Sequence, residues 1–227
     1  MTKYPKIETL YNRDKKTFKV TGEIRCPEFL LINQWILTEK IDGTNVRVML
    51  EPDGRVHFEG RTDRAQMPPF LLTKLQEMFP EELVQNAFEQ DDIGLWPSVV
   101  CYGEGYGERI QKGGGNYRKG VSFRLFDVRV GDWWLNWESV EDVAKKLNIK
   151  TVPFLTSIVD WLPHSIGELN SLFFSEQRGQ NEPGSIVALE ECGKTDVQAE
   201  GIVAHTDPLL FDRRGRRVMW KLKYKDF

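Results

Sequence analysis

The sequence predicts an α+β protein of mainly antiparallel sheets with flanking helices. Three observations carry that expectation. Several short apolar runs alternate with polar residues and are separated by turns, the period-two mark of paired strands. Residues 70–89 repeat apolar side chains every three to four positions, the mark of a helix. Helical stretches fall irregularly among the strands rather than one after each, which favours antiparallel over doubly wound parallel sheets.

The elements follow in order. Residues 1–33 show no sustained period and read as loops with a short strand or turn. Trp35-Ile36-Leu37 leads a strand into Thr38-Glu39-Lys40-Ile41-Asp42-Gly43-Thr44-Asn45, and Val46 to Leu50 alternates as a half-buried strand. Asp53-Gly54 then marks a hairpin whose second strand, Arg55 to Glu59, ends in a polar turn at Gly60-Arg61. Pro80 divides the 70–89 segment into two helices, because proline removes a helical donor and clashes with the preceding turn. Ser98 to Tyr102 is a short buried strand that delivers Gly103-Glu104-Gly105 at its end, and Val121 to Val128 is another strand. Ser139 with Asp142 and Ser165 with Glu168 open helices. Strands are expected at Ser185 to Glu190, Ala199 to His205 and Val218 to Lys225.

Bulk composition narrows the class. The 227 residues are 40% hydrophobic and 29% charged, as in globular proteins, and no apolar run approaches the ~18 residues of a membrane span. The start of the chain lacks the apolar stretch of a signal peptide. Three widely spaced cysteines, Cys26, Cys101 and Cys192, fit a reducing compartment, so a cytoplasmic location is expected, and they argue against zinc. The net charge of −3 is not that of a general nucleic-acid binder, although Arg213, Arg214, Arg216 and Arg217 form a compact basic cluster.

Lys40 stands where two strands meet, a place that partly encloses a side chain. A lysine drawn from water loses its preference for the charged form, and its amine becomes a nucleophile. An ion pair with Glu39 or Asp42 is the ordinary explanation for such a lysine. Lys221 and Lys223 share one strand face, where two like charges face either water or a polyanion. Glu104 between glycines suits close approach by a sugar hydroxyl or a hydrated metal, and Glu200 directly precedes a strand through Gly201.

In series, Glu39-Lys40-Ile41-Asp42-Gly43-Thr44-Asn45, Arg61, Tyr102-Gly103-Glu104, Phe123 to Val128, Glu200-Gly201-Ile202-Val203 and Trp220-Lys221-Leu222-Lys223 resemble the motifs of the covalent nucleotidyltransferases. The resemblance is closest to ATP-dependent RNA ligases of the nick-sealing phage type, and it runs from about residue 35 to the end of the chain. It implies an ATP-grasp-like ligase core, a single adenylation domain over 1–227 with no recognisable additional nucleic-acid-binding domain. It also implies a lysyl-adenylate on Lys40, made from ATP with Mg²⁺ or Mn²⁺, and RNA carrying 5′-phosphate and 3′-hydroxyl ends as substrate in RNA repair. A separate end-healing or RNA-binding protein is the partner expected to supplement a bare core.

The resemblance further implies residue roles. Glu39 and Ile41 belong to nucleotide recognition, Asn45 to end joining, and Arg61 to phosphate contact. Glu104 would hold the ribose, Phe126 would stack on adenine, Lys221 and Lys223 would hold the α-phosphate, and Glu200 would hold the metal or its waters. Asp127 would orient these groups. Apart from the resemblance, the compact charge of Arg213, Arg214, Arg216 and Arg217 makes that cluster the candidate grip on nucleic acid, because phosphate contacts dominate such affinity, with a solvated hairpin turn as its ordinary explanation. A DNA ligase or capping-type guanylyltransferase shares the same core chemistry, and a non-catalytic nucleotide- or RNA-binding module is the alternative outside enzymes.

Overall fold

A computed structural model describes residues 3–62, 65–158, 161–173 and 184–227. The chain forms two compact units, one of Pro5–Asp42 with Pro153–Phe227 and one of Met1–Tyr4 with Gly43–Val152. Lys40 belongs to the former, the lysine-bearing unit.

That unit contains β1 (Glu8–Thr9), the small antiparallel pair β2 (Tyr11–Arg13) and β3 (Val20–Ile24), a 3-10 turn over Pro27–Leu31, and β4 (Trp35–Lys40). It resumes with β11 (Phe154–Ile158), α5 (Ile166–Phe173), α6 (Ile186–Cys192), β12 (Gly201–Thr206) and β13 (Met219–Lys223). Five strands make one sheet in the order β1-β13-β12-β4-β11, antiparallel except for the β1–β13 pair. Trp35, Leu37, Ile202, Ala204, Trp220 and Leu222 point alternately into one core, packed with Leu169 and Phe173 of α5.

The other unit is built on β5 (Thr44–Leu50), β6 (Val56–Gly60), β7 (Val99–Gly107), β8 (Val121–Val130), β9 (Trp133–Trp134) and β10 (Lys150–Thr151). Its sheet runs β10-β8-β7-β5-β6, with β9 beside β8. Helices α1 (Pro69–Met78) and α2 (Glu81–Asn86) are divided at Pro80 as expected, and α3 (Gly114–Tyr117) and α4 (Trp137–Lys146) complete the unit. Val46, Val48 and Leu50 of β5 pack with Leu71 and Leu75 of α1 and Val140 and Val143 of α4. The α+β class with mainly antiparallel sheets is therefore present in both units.

Four local expectations give way. Ser185 to Glu190 is not a strand but the start of α6. The Ser185 hydroxyl accepts from the Ala188 amide and caps the helix, while Gly193, at φ 67°, closes it in the left-handed conformation. The cap of α4 is Asn136, which accepts from Ser139 N, so Ser139 lies inside the first turn. Gly103-Glu104-Gly105 lies within β7 rather than beyond its end. β5 is buried on both faces, because Arg47 is fully buried with its guanidinium paired to Glu59 at 2.7 Å and donating to the Gly60 carbonyl at 2.9 Å.

Two glycines are required by close approach. A Cβ on Gly43 would collide with the Gly105 carbonyl and the Glu104 side chain. A Cβ on Gly201 would collide with the Leu222 carbonyl and the Lys223 Cα across the β12–β13 pair. Gly201→Ala should therefore lower stability by about 1–3 kcal/mol, the usual cost of overpacking a tight contact. A denaturant midpoint that does not move would show that β12 and β13 can part without cost.

Candidate active site

Register decides what surrounds Lys40. Gly201 is opposite Lys40 on β4 and opposite Lys223 on β13, so the ends of three adjacent strands meet at one glycine. Glu200, the residue before it, lies between the two lysines. Lys40 Nζ donates to Glu200 Oε2 at 2.5 Å and to the Ile41 carbonyl at 3.4 Å, and Lys223 Nζ donates to Glu200 Oε1. The partner of Lys40 is thus Glu200, 160 residues away in sequence, rather than Glu39 or Asp42. Burial pushes the Glu200 carboxyl up, but the neighbouring Lys40 and Lys223 ammonium groups outweigh it and hold it below its ordinary range.

Lys221 shares the outward face of β13 with Lys223, because the intervening Leu222 points into the core. Burial, reinforced by the charges of Lys223 and Lys40, lowers its pKa to about 8. Three lysines gathered around one carboxylate leave a surplus of positive charge, and an anion is the ligand that such a surplus suits. Among the described residues no three His, Cys, Asp or Glu side chains gather as a metal-binding cluster.

Glu39 serves a different neighbour. Successive residues on a strand face opposite sides. Glu39 is buried, accepts from the Ser185 hydroxyl at 2.5 Å and the Val187 amide at 3.1 Å, and so holds the start of α6. Ile41 is also buried. Ser185 was not singled out from the sequence. Its serine-to-glycine span up to Gly193 was the available signal, a helix start and stop.

The predicted residues from Asn45 to Asp127 belong to the other unit. Asn45 and Glu104 are opposite each other on β5 and β7, and the Asn45 side-chain oxygen is buried without a hydrogen-bond partner. Glu104 packs over Gly43, where only a glycine leaves room. The β7–β8 pairing shifts at Tyr102/Gly103, which makes Phe126 the extra residue of a bulge, a device that re-aims a side chain. Phe126 is half-buried, with its ring edge-on to Tyr4 at 4.9 Å. Asp127 is buried and accepts from the Tyr4 hydroxyl at 3.0 Å. Arg61 is exposed just past β6, and the buried Arg47, not anticipated as part of the candidate set, fixes the Gly60 carbonyl directly before it.

Arg213, Arg214 and Arg216 lie exposed in a hairpin turn of the lysine-bearing unit, and Arg217 is half-buried at its base. The bottom of that hairpin feeds β13, so this cluster stands at the opposite end of the strand from Lys223.

Comparison with known proteins places this geometry in context. The family model for RNA ligase matches residues 33–223. Solved structures of the RNA ligase of Naegleria gruberi share the fold. One mutant form with ATP and Mn matches at TM-score 0.63 and 18% identity, over 98% of this chain and 56% of that one. A second mutant with ATP and Mn matches at 0.63 and 19%, over 100% and 59%. The form with pyrophosphate matches at 0.62 and 18%, over 98% and 56%. This chain thus spans somewhat more than half the length of those ligases. No curated protein matches it. With the family match extending over the lysine cluster and every strand from β4 to β13, the chain belongs to the RNA ligase family.

Proposed function

We propose that the protein is an ATP-dependent RNA ligase that works through a lysyl-adenylate on Lys40. The observation that carries this reading is the cluster of Lys40, Glu200, Lys221 and Lys223 at the meeting of β4, β12 and β13. The Naegleria gruberi ligase structures, one with ATP and Mn and another with pyrophosphate, supply the ligand classes.

In the first step the Lys40 amine attacks the α-phosphorus of ATP. A P–N bond forms, the bond to the bridging oxygen breaks, and pyrophosphate leaves. An ammonium has no lone pair, so Lys40 first gives up a proton to solvent, and Glu200 Oε2 at 2.5 Å holds its nitrogen in place. Lys221 and Lys223 hold the α-phosphate and offset its charge as the bonds exchange. In the second step a 5′-phosphate oxygen of RNA attacks the adenylate phosphorus and releases Lys40. In the third, a 3′-hydroxyl attacks the activated 5′-phosphorus, AMP leaves, and the phosphodiester is complete.

A single carboxylate beside a phosphate-binding lysine cluster fits a hydrated Mg²⁺ or Mn²⁺, which takes one or two protein carboxylates and completes its shell with water and substrate phosphates. Glu200 would hold that ion, which when bound supplies neutralisation of phosphate charge. Asn45, Arg61, Glu104 and Phe126 keep, within this proposal, the joining, phosphate, ribose and adenine roles that the family resemblance implies. The free state of Cys26, Cys101 and Cys192 supports a cytoplasmic setting. Among the described residues no helix is long and apolar enough to cross a membrane.

Incubation with α-labelled ATP and Mg²⁺ should give a labelled protein whose label survives alkali and is lost in hot acid, as a P–N bond requires, and Lys40→Ala should reduce the label to background. Label that survives in Lys40→Ala would overturn the assignment, and stronger labelling from GTP would point to a capping-type enzyme. A second expectation concerns pH. Lys221 is protonated below about 8 and neutral above it, so its pull on phosphate is present at neutral pH and is lost as pH rises. ATP affinity, measured calorimetrically in Lys40→Ala, should fall about tenfold across that titration, equivalent to ~1.4 kcal/mol. Lys221→Arg, which stays charged, should flatten the profile. A profile that is already flat in Lys40→Ala with Lys221 intact would remove Lys221 from the phosphate site.

A further inference from the structure

The lysine-bearing unit contains a cleft of about 890 Å³ at the end of β13 remote from Lys223. That volume lies in the range of ligand sites, roughly 300–1,000 Å³. Its lining comes from segments far apart in sequence. Lys6 and Arg25 come from the N-terminal region, and Arg213, Arg214, Arg216 and Arg217 come from the hairpin turn. Three carboxylates, Glu8, Glu28 and Asp212, also line it, so cations exceed anions by two to one.

The pairing within the cleft is uneven. Glu8 is shared by Arg25 at 3.2 Å and Lys6 at 3.4 Å, and Asp212 is paired with Arg216 at 2.7 Å. Asp212 also accepts from the Arg214 and Arg216 amides at 2.8 and 2.9 Å, and Gly215 takes φ 71°. These bonds fix a tight turn that presents Arg213 and Arg214, neither of which makes an ion pair among the described residues. Phe29, Ile32, Val218 and Met219 add apolar surface to the lining.

Position is the third observation. Lys223, Lys221 and Met219 alternate on one face of β13 while Leu222 and Trp220 fill the core. The same two-residue count reaches Arg217. From Lys221 to Arg217 the chain advances about 13 Å at ~3.3 Å per residue. That is a span of about four stacked nucleotides at ~3.4 Å each.

We propose that this cleft binds the backbone of a single RNA strand a few nucleotides from the end being joined. This rests on the reading of the chain as an RNA ligase. Arginine forks match phosphate oxygens and also stack on bases, and an apolar lining accepts sugars and base faces. An acidic protein segment would satisfy the arginines, but it would not explain the alignment with the phosphate-holding lysines.

The test is fluorescence anisotropy with a short labelled single-stranded RNA lacking a 3′-hydroxyl, in a Lys40→Ala background where no chemistry intrudes. Arg213→Ala with Arg214→Ala, and separately Lys6→Ala with Arg25→Ala, should each weaken binding about tenfold at low salt. Each pair should also lower the slope of log K against log salt by about 1.4, two phosphates at ~0.7 apiece. Arg213→Lys with Arg214→Lys should restore the salt slope but only part of the affinity, since lysine lacks the fork and the stacking plane. An unchanged affinity in either pair would overturn the cleft, and so would polyglutamate competing as well as RNA. Labelling of the wild-type protein by ATP, run alongside, reports on the ligase reading independently, since RNA binding in this assay needs no adenylate.

Discussion

The carboxylate of Glu200 is the constraint on which the candidate site depends. It is mostly buried, and a buried carboxylate is costly unless paired. Lys40 and Lys223 pair it from either side, and they can do so only because Gly201 lets β12 sit tightly between β4 and β13. The glycine, the carboxylate and the two lysines are one mechanical unit drawn from three strands. Lys221 then bears the electrostatic consequence, since the third ammonium has no second carboxylate to share.

In the proposed mechanism the ion-paired Lys40 and the nucleophilic Lys40 are the same residue at different moments. The salt bridge holds the side chain in one rotamer and at one place, which is worth more to a displacement at phosphorus than extra basicity. The acidic net charge of the protein is equally consistent with a polyanionic substrate. Two groups of cations stand at the two ends of β13, while others, such as Lys15, Lys112 and Lys145, lie exposed elsewhere.

Much of this was legible in the sequence because it depends on local pattern. The strand before Lys40, the Asp53-Gly54 hairpin, the break at Pro80 and the shared face of Lys221 and Lys223 follow from period and turn chemistry. Pairings across long separations were not legible. Nothing near Lys40 announces Glu200, and the local candidates Glu39 and Asp42 were the natural choices. The helix α6 was misread because Ile186-Val187-Ala188-Leu189 is apolar at every position, and such a run carries neither period. Arg47 looked like the polar face of a half-buried strand, since burial of a guanidinium shows only when its partners, Glu59 and Gly60, are brought alongside. The bulge that frees Phe126 depends on the register between two strands, which neither strand encodes alone.

Consecutive residues of β4 have opposite obligations. Glu39 faces the amides at the start of α6, and Lys40 faces the carboxylate of Glu200. A slip of β4 by one residue would set either Glu39 against the carboxylate of Glu200 or Lys40 against the helix donors of α6, depending on its direction. Either way an attractive contact becomes repulsive. The strand therefore carries its own check on alignment, and a misthreaded sheet would be rejected during folding by the same two side chains that its correct form holds in place.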